Sequence, residues 1–132
     1  MSLSDVLYGD RLLVSVFAQF RPESRFKLFD PSGVVAAFLK ARATGKYSSI
    51  FENVPFDNDG IEPRSSVIED GINALQEARL IGRFNPDLRE YKITSGIRVR
   101  FDRFIRPELD DQDLEMIREL SNDIRETLDI EE

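Results

Sequence analysis

The residue types that most often carry catalysis and metal binding are missing from this chain. Its 132 residues include no cysteine and no histidine, which removes thiolate chemistry, the Ser-His-Asp triad and most transition-metal ligand sets. The seven glycines are scattered singly and form no phosphate-binding loop. The sequence therefore predicts a protein that is not an enzyme and has no catalytic residues, no metal site and no cofactor.

Acidic residues are the remaining candidates for chemistry, but their spacing argues against it. Adjacent carboxylates such as Glu69 and Asp70 diverge on a helix and cannot converge on one reacting bond. The segment Asp57-Asn58-Asp59-Gly60 resembles part of a calcium loop. With its glycine in the sixth position, however, Pro55 would be the first ligand and Ser66 the twelfth. A turn is therefore the better interpretation of this segment.

Charge is distributed very unevenly along the chain. The total is −7, yet residues 79–106 hold eight basic side chains against three acidic ones, a net of +5. Residues 107–132 hold eleven acidic side chains against two basic ones, a net of −9. The negative total disfavours bulk attraction to nucleic acid or to an anionic membrane, so any phosphate contact must use the basic segment. The alternative is that these arginines form a solvated surface or pair with the acidic end.

Hydrophobic spacing predicts a mainly helical chain with enough apolar residues for one core. Apolar residues three and four positions apart predict helices over residues 5–20, 31–43, 47–53, 66–81 and 110–128. Ser66 and Glu69 form a capping-box pattern, so Ser66 is the predicted N-cap, and Gly82 is placed to end that helix. Strands are predicted on either side of the turn former Asn85-Pro86-Asp87, whereas residues 95–106 fit either a strand or a helix.

One stretch of the chain resembles a known family. Residues 74–84, ALQEARLIGRF, followed by YKIT at residues 91–94, resemble winged helix-turn-helix proteins such as the MarR and PadR families of bacterial regulators. In those families a recognition helix ends in a Leu-x-x-x-Gly-Leu-Ile-like phrase, and a two-stranded wing closes in a phrase like Tyr-x-Ile-Thr. Arg79 stands where the phrase prefers glycine. The resemblance implies a mainly α fold with a small antiparallel β wing, with residues 66–81 as the recognition helix and 83–94 as the wing.

The resemblance further implies a nucleic-acid interface. The helix would lie in the major groove of double-stranded DNA and the wing near the phosphates. Asn73 and Gln76 on the solvent face of the helix suit bidentate contacts to adenine, although carboxylates at positions 69, 70 and 77 on the same face would repel phosphate. The cations that would neutralise phosphates are Arg83, Arg89, Lys92, Arg98 and Arg100.

Two functions follow from this interpretation. The first is a winged-helix, DNA-binding transcriptional regulator that uses helix 66–81 and the basic wing. The alternative is an acidic winged-helix adaptor that binds another protein rather than DNA, which the carboxylates on the helix and the net charge of −9 at the C-terminus favour.

The acidic C-terminal segment leaves several roles open. Residues 1–109 are predicted as the winged-helix-like domain, and residues 110–132 as an acidic helix of that domain or a dimerisation helix. Its apolar residues have near-heptad spacing, with Ser121 at the intervening position: Leu114, Ile117, Ile124 and Leu128. Only about two heptads are present, which favours packing on the same chain over a homodimer seam. A contact with a protein partner, or a tail that mimics DNA or masks the wing, is a further possibility.

Targeting signals are also absent from the sequence. No apolar run approaches the roughly 20 residues that a membrane-spanning helix needs, and the first residues lack the basic start of a secretory signal. We therefore expect a cytoplasmic protein without a membrane partner.

Overall fold

A computed structural model describes residues 3–21, 25–27, 31–57, 63–84 and 90–128. In these residues α-helices predominate beside one small antiparallel sheet, two of whose three strands follow the fifth helix, which confirms the predicted fold class. The helices are α1 (Leu3–Val6), α2 (Arg11–Phe17), α3 (Pro31–Ala43), α4 (Ser48–Phe51), α5 (Ser66–Glu77), α6 (Gly96–Arg100) and α7 (Asp111–Leu128). The strands are β1 (Arg25–Lys27), β2 (Ile81–Phe84) and β3 (Glu90–Ile93). A π-helix (Phe101–Ile105) and a 3₁₀ helix (Arg106–Glu108) continue α6.

The sheet has the order β1-β3-β2, with both pairs antiparallel. The β2–β3 hairpin is the predicted wing, and Ile81 lies opposite Ile93 in its register. Strand β1 pairs with the other edge of β3 and was not predicted from the sequence. Its three residues are too few for the apolar alternation by which a strand is recognised.

Helix α5 begins one residue earlier than its capping pattern suggested. The N-cap is Ser65, whose Oγ accepts a hydrogen bond from the Ile68 N–H at 3.4 Å, so the prediction of Ser66 is wrong. Ser65 is selected because its hydroxyl also donates to the Pro55 carbonyl at 3.0 Å, which holds the side chain in a buried position. The Glu69 carboxylate accepts the Ser65 N–H at 3.0 Å, so the predicted reciprocal cap is present in a shifted register.

The other end of α5 is closed by backbone hydrogen bonds rather than by the predicted glycine. The helix ends at Glu77, and Arg79 takes the left-handed conformation with φ of 60°. The Leu80 N–H donates to the Leu75 carbonyl at 2.9 Å, and the Arg79 N–H donates to the Gln76 carbonyl at 3.0 Å. These two bonds form a Schellman motif, so the helix does not continue to residue 81. Gly82 lies in β2 and does not cap the helix.

A glycine in the middle of α5 permits close packing. A Cβ atom at Gly71 would lie 2.5 Å from Cδ1 of Leu13 in α2, well inside van der Waals contact. Helix α5 is thus held against α2 through its buried face, which includes Ile68, Ile72 and Leu75.

Residues 96–105, for which the sequence left strand and helix open, are helical. Ile97, Phe101 and Ile105 are buried on one face, whereas Phe104 is 57% exposed. The π-helix explains the separation, because its wider turn rotates Phe104 away from the face that Phe101 and Ile105 share.

The acidic helix α7 packs against its own chain. Its principal contacts are with α3 and α2, and the apolar side chains of Leu114, Ile117, Leu120 and Ile124 are buried in the common core. The Ser121 hydroxyl donates to the Val16 carbonyl at 2.9 Å. The side chains of Leu114, Ile117 and Ile124 in the apolar stripe are therefore covered within the molecule, and Leu128 is half-buried.

A buried tyrosine also fastens α7. Tyr47 is 1% exposed, and its hydroxyl donates to the Asp123 carboxylate. Burial, together with the neighbouring Asp123 carboxylate, raises the pKa of the Tyr47 phenol far above its usual value, so the phenol remains a donor over the physiological pH range.

No helix among the described residues is long and apolar enough to cross a membrane.

Candidate functional site

The solvent face of α5 is polar and acidic. Asn73 is exposed and free to approach a ligand, while Gln76 is half-buried and already makes an interaction within the chain. Asp70 and Glu77 are exposed, and neither forms an ion pair with a described residue. A helix that presents two unneutralised carboxylates beside its one exposed amide is poorly suited to approach DNA phosphates.

The third carboxylate of this face is neutralised. Arg64 donates to both carboxylate oxygens of Glu69, with the shortest contact at 2.6 Å. These hydrogen bonds hold the pKa of Glu69 below its usual value, because they stabilise the charged form. Glu69 therefore acts as an anchor at the start of α5, and the exposed negative charge of the face comes from Asp70 and Glu77.

The predicted phosphate-binding cations do not gather beside α5 in the described part of the chain. Arg89 and the side chain of Arg83 lie outside the described residues, and Lys92 is half-buried on β3 with an interaction of its own. Arg98 is used internally, since its guanidinium donates to the Ala18 carbonyl at 3.2 Å and pairs with Asp102 at 3.3 Å. Arg98 thus fastens α6 to the end of α2.

Arg100, the last of the predicted cations, lies on a different surface. It lines a groove of about 290 Å³ between the α1–α2 turn and the helical segment 96–105. Tyr8 and Phe104 form the aromatic walls and are 65% and 57% exposed. Val14 and Ile105 are buried and supply an apolar floor. We call this feature the Tyr8–Phe104 groove, and its remaining lining residues are Asp10 and Arg11.

Arg11 holds the two sides of the groove together. Its guanidinium donates to the Val6 carbonyl at 3.1 Å, to the Phe104 carbonyl at 3.1 Å and to the Glu108 carboxylate at 2.7 Å. It also lies 5.0 Å from the centre of the Tyr8 ring. The charge of Arg11 is therefore satisfied within the chain, and the spacing of the groove walls is fixed before any ligand arrives.

The turn that carries Tyr8 has its own local cause. Gly9 has a φ of 60°, a conformation that glycine adopts without steric cost, and the Arg11 N–H donates to the Tyr8 carbonyl at 3.2 Å. This tight turn presents the Tyr8 ring toward solvent instead of the core.

Two arginines beside the groove keep their charge available. Arg100 and Arg103 are exposed, and neither has an ion-pair partner among the described residues. The Arg103 guanidinium lies 5.5 Å from the centre of the Phe104 ring. The groove thus combines exposed aromatic rings with free guanidinium groups, the residue types most enriched where proteins bind other proteins.

Sequence reasoning missed this groove because its halves lie near opposite ends of the chain. The spacing of residues 97–105 fitted either a strand or a helix, and Tyr8 carried no signal of its own. A usable signal was the sequence Arg100-Phe101-Asp102-Arg103-Phe104, in which charged residues lie next to aromatic ones. That signal does not reveal which ring is exposed.

The described residues contain no group of three or more carboxylates placed to hold a metal ion.

Among known proteins, no family model, curated protein or solved structure matches this chain.

Proposed function

We propose that this protein is a winged-helix adaptor that binds another protein. The observation that carries the proposal is the pair of aromatic rings, Tyr8 and Phe104, which stand exposed across one groove next to the free guanidinium of Arg100. Large apolar side chains that share one surface feature mark interaction sites far more often than scattered ones do.

The acidity of α5 supports the same proposal. Asp70 and Glu77 are exposed on the face that a recognition helix would turn to the major groove. The whole chain carries a charge of −7, so duplex DNA would be repelled unless a strong local cluster of cations opposed it.

A DNA-binding regulator is the second candidate, and specific features favour it. The β2–β3 hairpin follows α5 directly, with β3 at the centre of the sheet, which is the arrangement expected of a recognition helix followed by its wing. Asn73 is exposed midway along α5, and Arg79 is exposed where the helix meets the hairpin. These residues would read a base and contact a phosphate, respectively.

Selection from two libraries separates the candidates. The full chain is first presented with a pool of random duplexes at low and at physiological salt. The adaptor proposal predicts weak binding, no enriched sequence and no change in Asn73→Ala. Convergence on one sequence, with specificity relaxed at a single base by Asn73→Ala, would establish the DNA reader instead.

The same chain is then presented with a library of random displayed peptides. The adaptor proposal predicts that related peptides are enriched, because a preformed groove with aromatic walls recognises a limited set of side chains. Failure to enrich any peptide family, under conditions where the chain is folded, would contradict the proposal.

A further inference from the structure

We propose that the Tyr8–Phe104 groove binds an acidic peptide segment through one large apolar side chain that inserts between the two rings. This inference rests on the proposed function and specifies the chemistry of the partner. The occupant is a segment of another protein in which aspartate or glutamate residues flank the inserted side chain.

The size and lining of the groove favour a single inserted side chain. Its volume of about 290 Å³ lies at the lower limit of pockets that enclose a small molecule, about 300 Å³. The floor, Val14 and Ile105, is apolar, and the walls are aromatic. A side chain such as phenylalanine or leucine would cover the exposed faces of Tyr8 and Phe104 and displace water from the floor.

The charges around the groove favour acidic flanking residues. Arg100 and Arg103 have no ion-pair partner in the described part of the chain, whereas Arg11 is neutralised by Glu108. Asp10 is the one carboxylate in the lining. Because the chain as a whole carries −7, an acidic segment would be repelled by most of the surface and attracted here, which gives specificity as well as affinity.

The alternatives fit these observations less well. Single-stranded nucleic acid also stacks on aromatic rings, but it needs a basic track along several nucleotides, and two free arginines beside Asp10 do not provide one. A second copy of this chain carries many of its acidic residues on α7, yet the neighbouring apolar side chains Leu114, Ile117 and Ile124 are buried in its own core. The described part of α7 therefore has no exposed large apolar side chain to insert.

The test uses fluorescein-labelled twelve-residue peptides and the full chain. The first peptide contains Glu, Asp, Gly and Ser around one central Phe, the second replaces Phe by Ala, and the third replaces the acidic residues by Lys. By fluorescence anisotropy the first peptide should bind, and the other two should each bind at least about tenfold more weakly. Equal binding of all three peptides would overturn the inference.

Variants with matched controls locate the site. Arg100→Glu and Phe104→Ser should each weaken binding of the first peptide by about tenfold or more. The control Arg118→Glu on α7 makes the same charge reversal, and the control Val99→Ser on α6 replaces another exposed apolar side chain by serine, both at positions outside the groove lining. These two controls should change the affinity for the first peptide less than about twofold, because exposed charges and side chains away from the binding site contribute little to it. Equal losses in the groove variants and their controls would contradict the assignment.

Two further measurements distinguish the other occupants. A twelve-residue oligothymidylate that binds more tightly than the first peptide, and loses affinity in Phe104→Ser, would assign the groove to single-stranded nucleic acid. Sedimentation that shows a dimer of the wild-type chain and a monomer of Phe104→Ser would assign it to a second copy. If displayed peptides are enriched but Arg100→Glu and Phe104→Ser leave them bound, the adaptor proposal stands and this inference fails.

Discussion

The solvent face of α5 and the Tyr8–Phe104 groove are built on the same core but expose opposite chemistry. On α5 the apolar residues are buried, and the exposed groups are Asp70, Asn73 and Glu77. In the groove, the rings of Tyr8 and Phe104 are left in solvent, and Arg100 has no ion-pair partner among the described residues. The first surface lies where the winged-helix resemblance would place a nucleic-acid reader, and the second has the composition that the adaptor proposal requires.

The difference shows that the arrangement of helices and strands does not determine the chemistry of the surface that they expose. The order α5, β2, β3 is set by caps, a turn and burial, and these would be satisfied whatever the exposed residues of α5 were. A fold of this kind can carry unrelated functions, so the exposed side chains have to decide between them. In this protein the exposed side chains favour the Tyr8–Phe104 groove over α5 as the binding surface.

The largest expected effect tests whether the groove is a surface or a part of the core. Phe101→Ala should lower the free energy of unfolding by about 3–5 kcal/mol, because this ring is fully buried. Phe104→Ala, three residues later, should change it by less than about 0.5 kcal/mol, because its ring is mainly in solvent. Urea unfolding of both variants measures the contrast. Similar losses would mean that Phe104 is structural and the groove is not open.

A smaller effect tests the role of Glu69 at the start of α5. Glu69→Gln removes the Arg64 ion pair and weakens the acceptor for the Ser65 N–H, so we expect a loss of about 0.5–1.5 kcal/mol at pH 7. The control Asp70→Asn removes the same charge from the next, exposed position and should change stability less. An equal loss in both variants would show that the general charge of α5 matters and the anchor does not.

The loss in Glu69→Gln should also depend on pH. The pKa of Glu69 is lowered in the folded state, so its contribution is fully present above the pKa of the unfolded chain, about 4.3. The contribution is lost as the pH falls through the lower, folded value. The difference between wild type and Glu69→Gln in urea unfolding should therefore shrink as the pH falls below the usual pKa of a glutamate.

The smallest expected effect concerns the junction between α5 and the hairpin. Arg79→Gly should raise the free energy of unfolding by about 0.5–1 kcal/mol, because glycine adopts a φ of 60° without the steric penalty of a side chain. Arg79→Ala removes the same charge but keeps the penalty, so it should not stabilise the protein. If both variants shift thermal unfolding equally, the charge of Arg79 and not its backbone determines the effect.

Local patterns in the sequence were sufficient for α3, α7 and the two strands of the hairpin. The single helix predicted over residues 5–20 is wrong, because the turn at Gly9, with a φ of 60°, divides it into α1 and α2. The stripe of Ile68, Ile72 and Leu75 defined the buried face of α5, and the predicted turn at 85–87 lies outside the described residues. The N-cap was wrong by one residue because two serines are adjacent, and only a tertiary contact with Pro55 selects Ser65. The end of α5 was wrong because a Schellman motif formed around an arginine instead of a glycine.

The candidate site could be predicted only in part. Asn73 is exposed as expected, but the internal role of Arg98 depends on the Ala18 carbonyl, which lies 80 residues away in the sequence. The sequence left residues 95–106 open between strand and helix, and neither interpretation indicates the π-helix that turns Phe104 outward. The groove itself depends on the α1–α2 turn and the segment 96–105 meeting across the fold, and periodicity within one helix carries no information about that juxtaposition.

The most direct test of the adaptor proposal is a titration of the full ¹⁵N-labelled chain with the acidic phenylalanine peptide, followed by backbone amide chemical shifts. The account predicts that the shifts cluster at residues 8–11 and 100–105, where the two sides of the groove meet, and leave Asn73 and Gln76 unchanged. Shifts centred on α5 and the β2–β3 hairpin, with residues 100–105 unaffected, would contradict it.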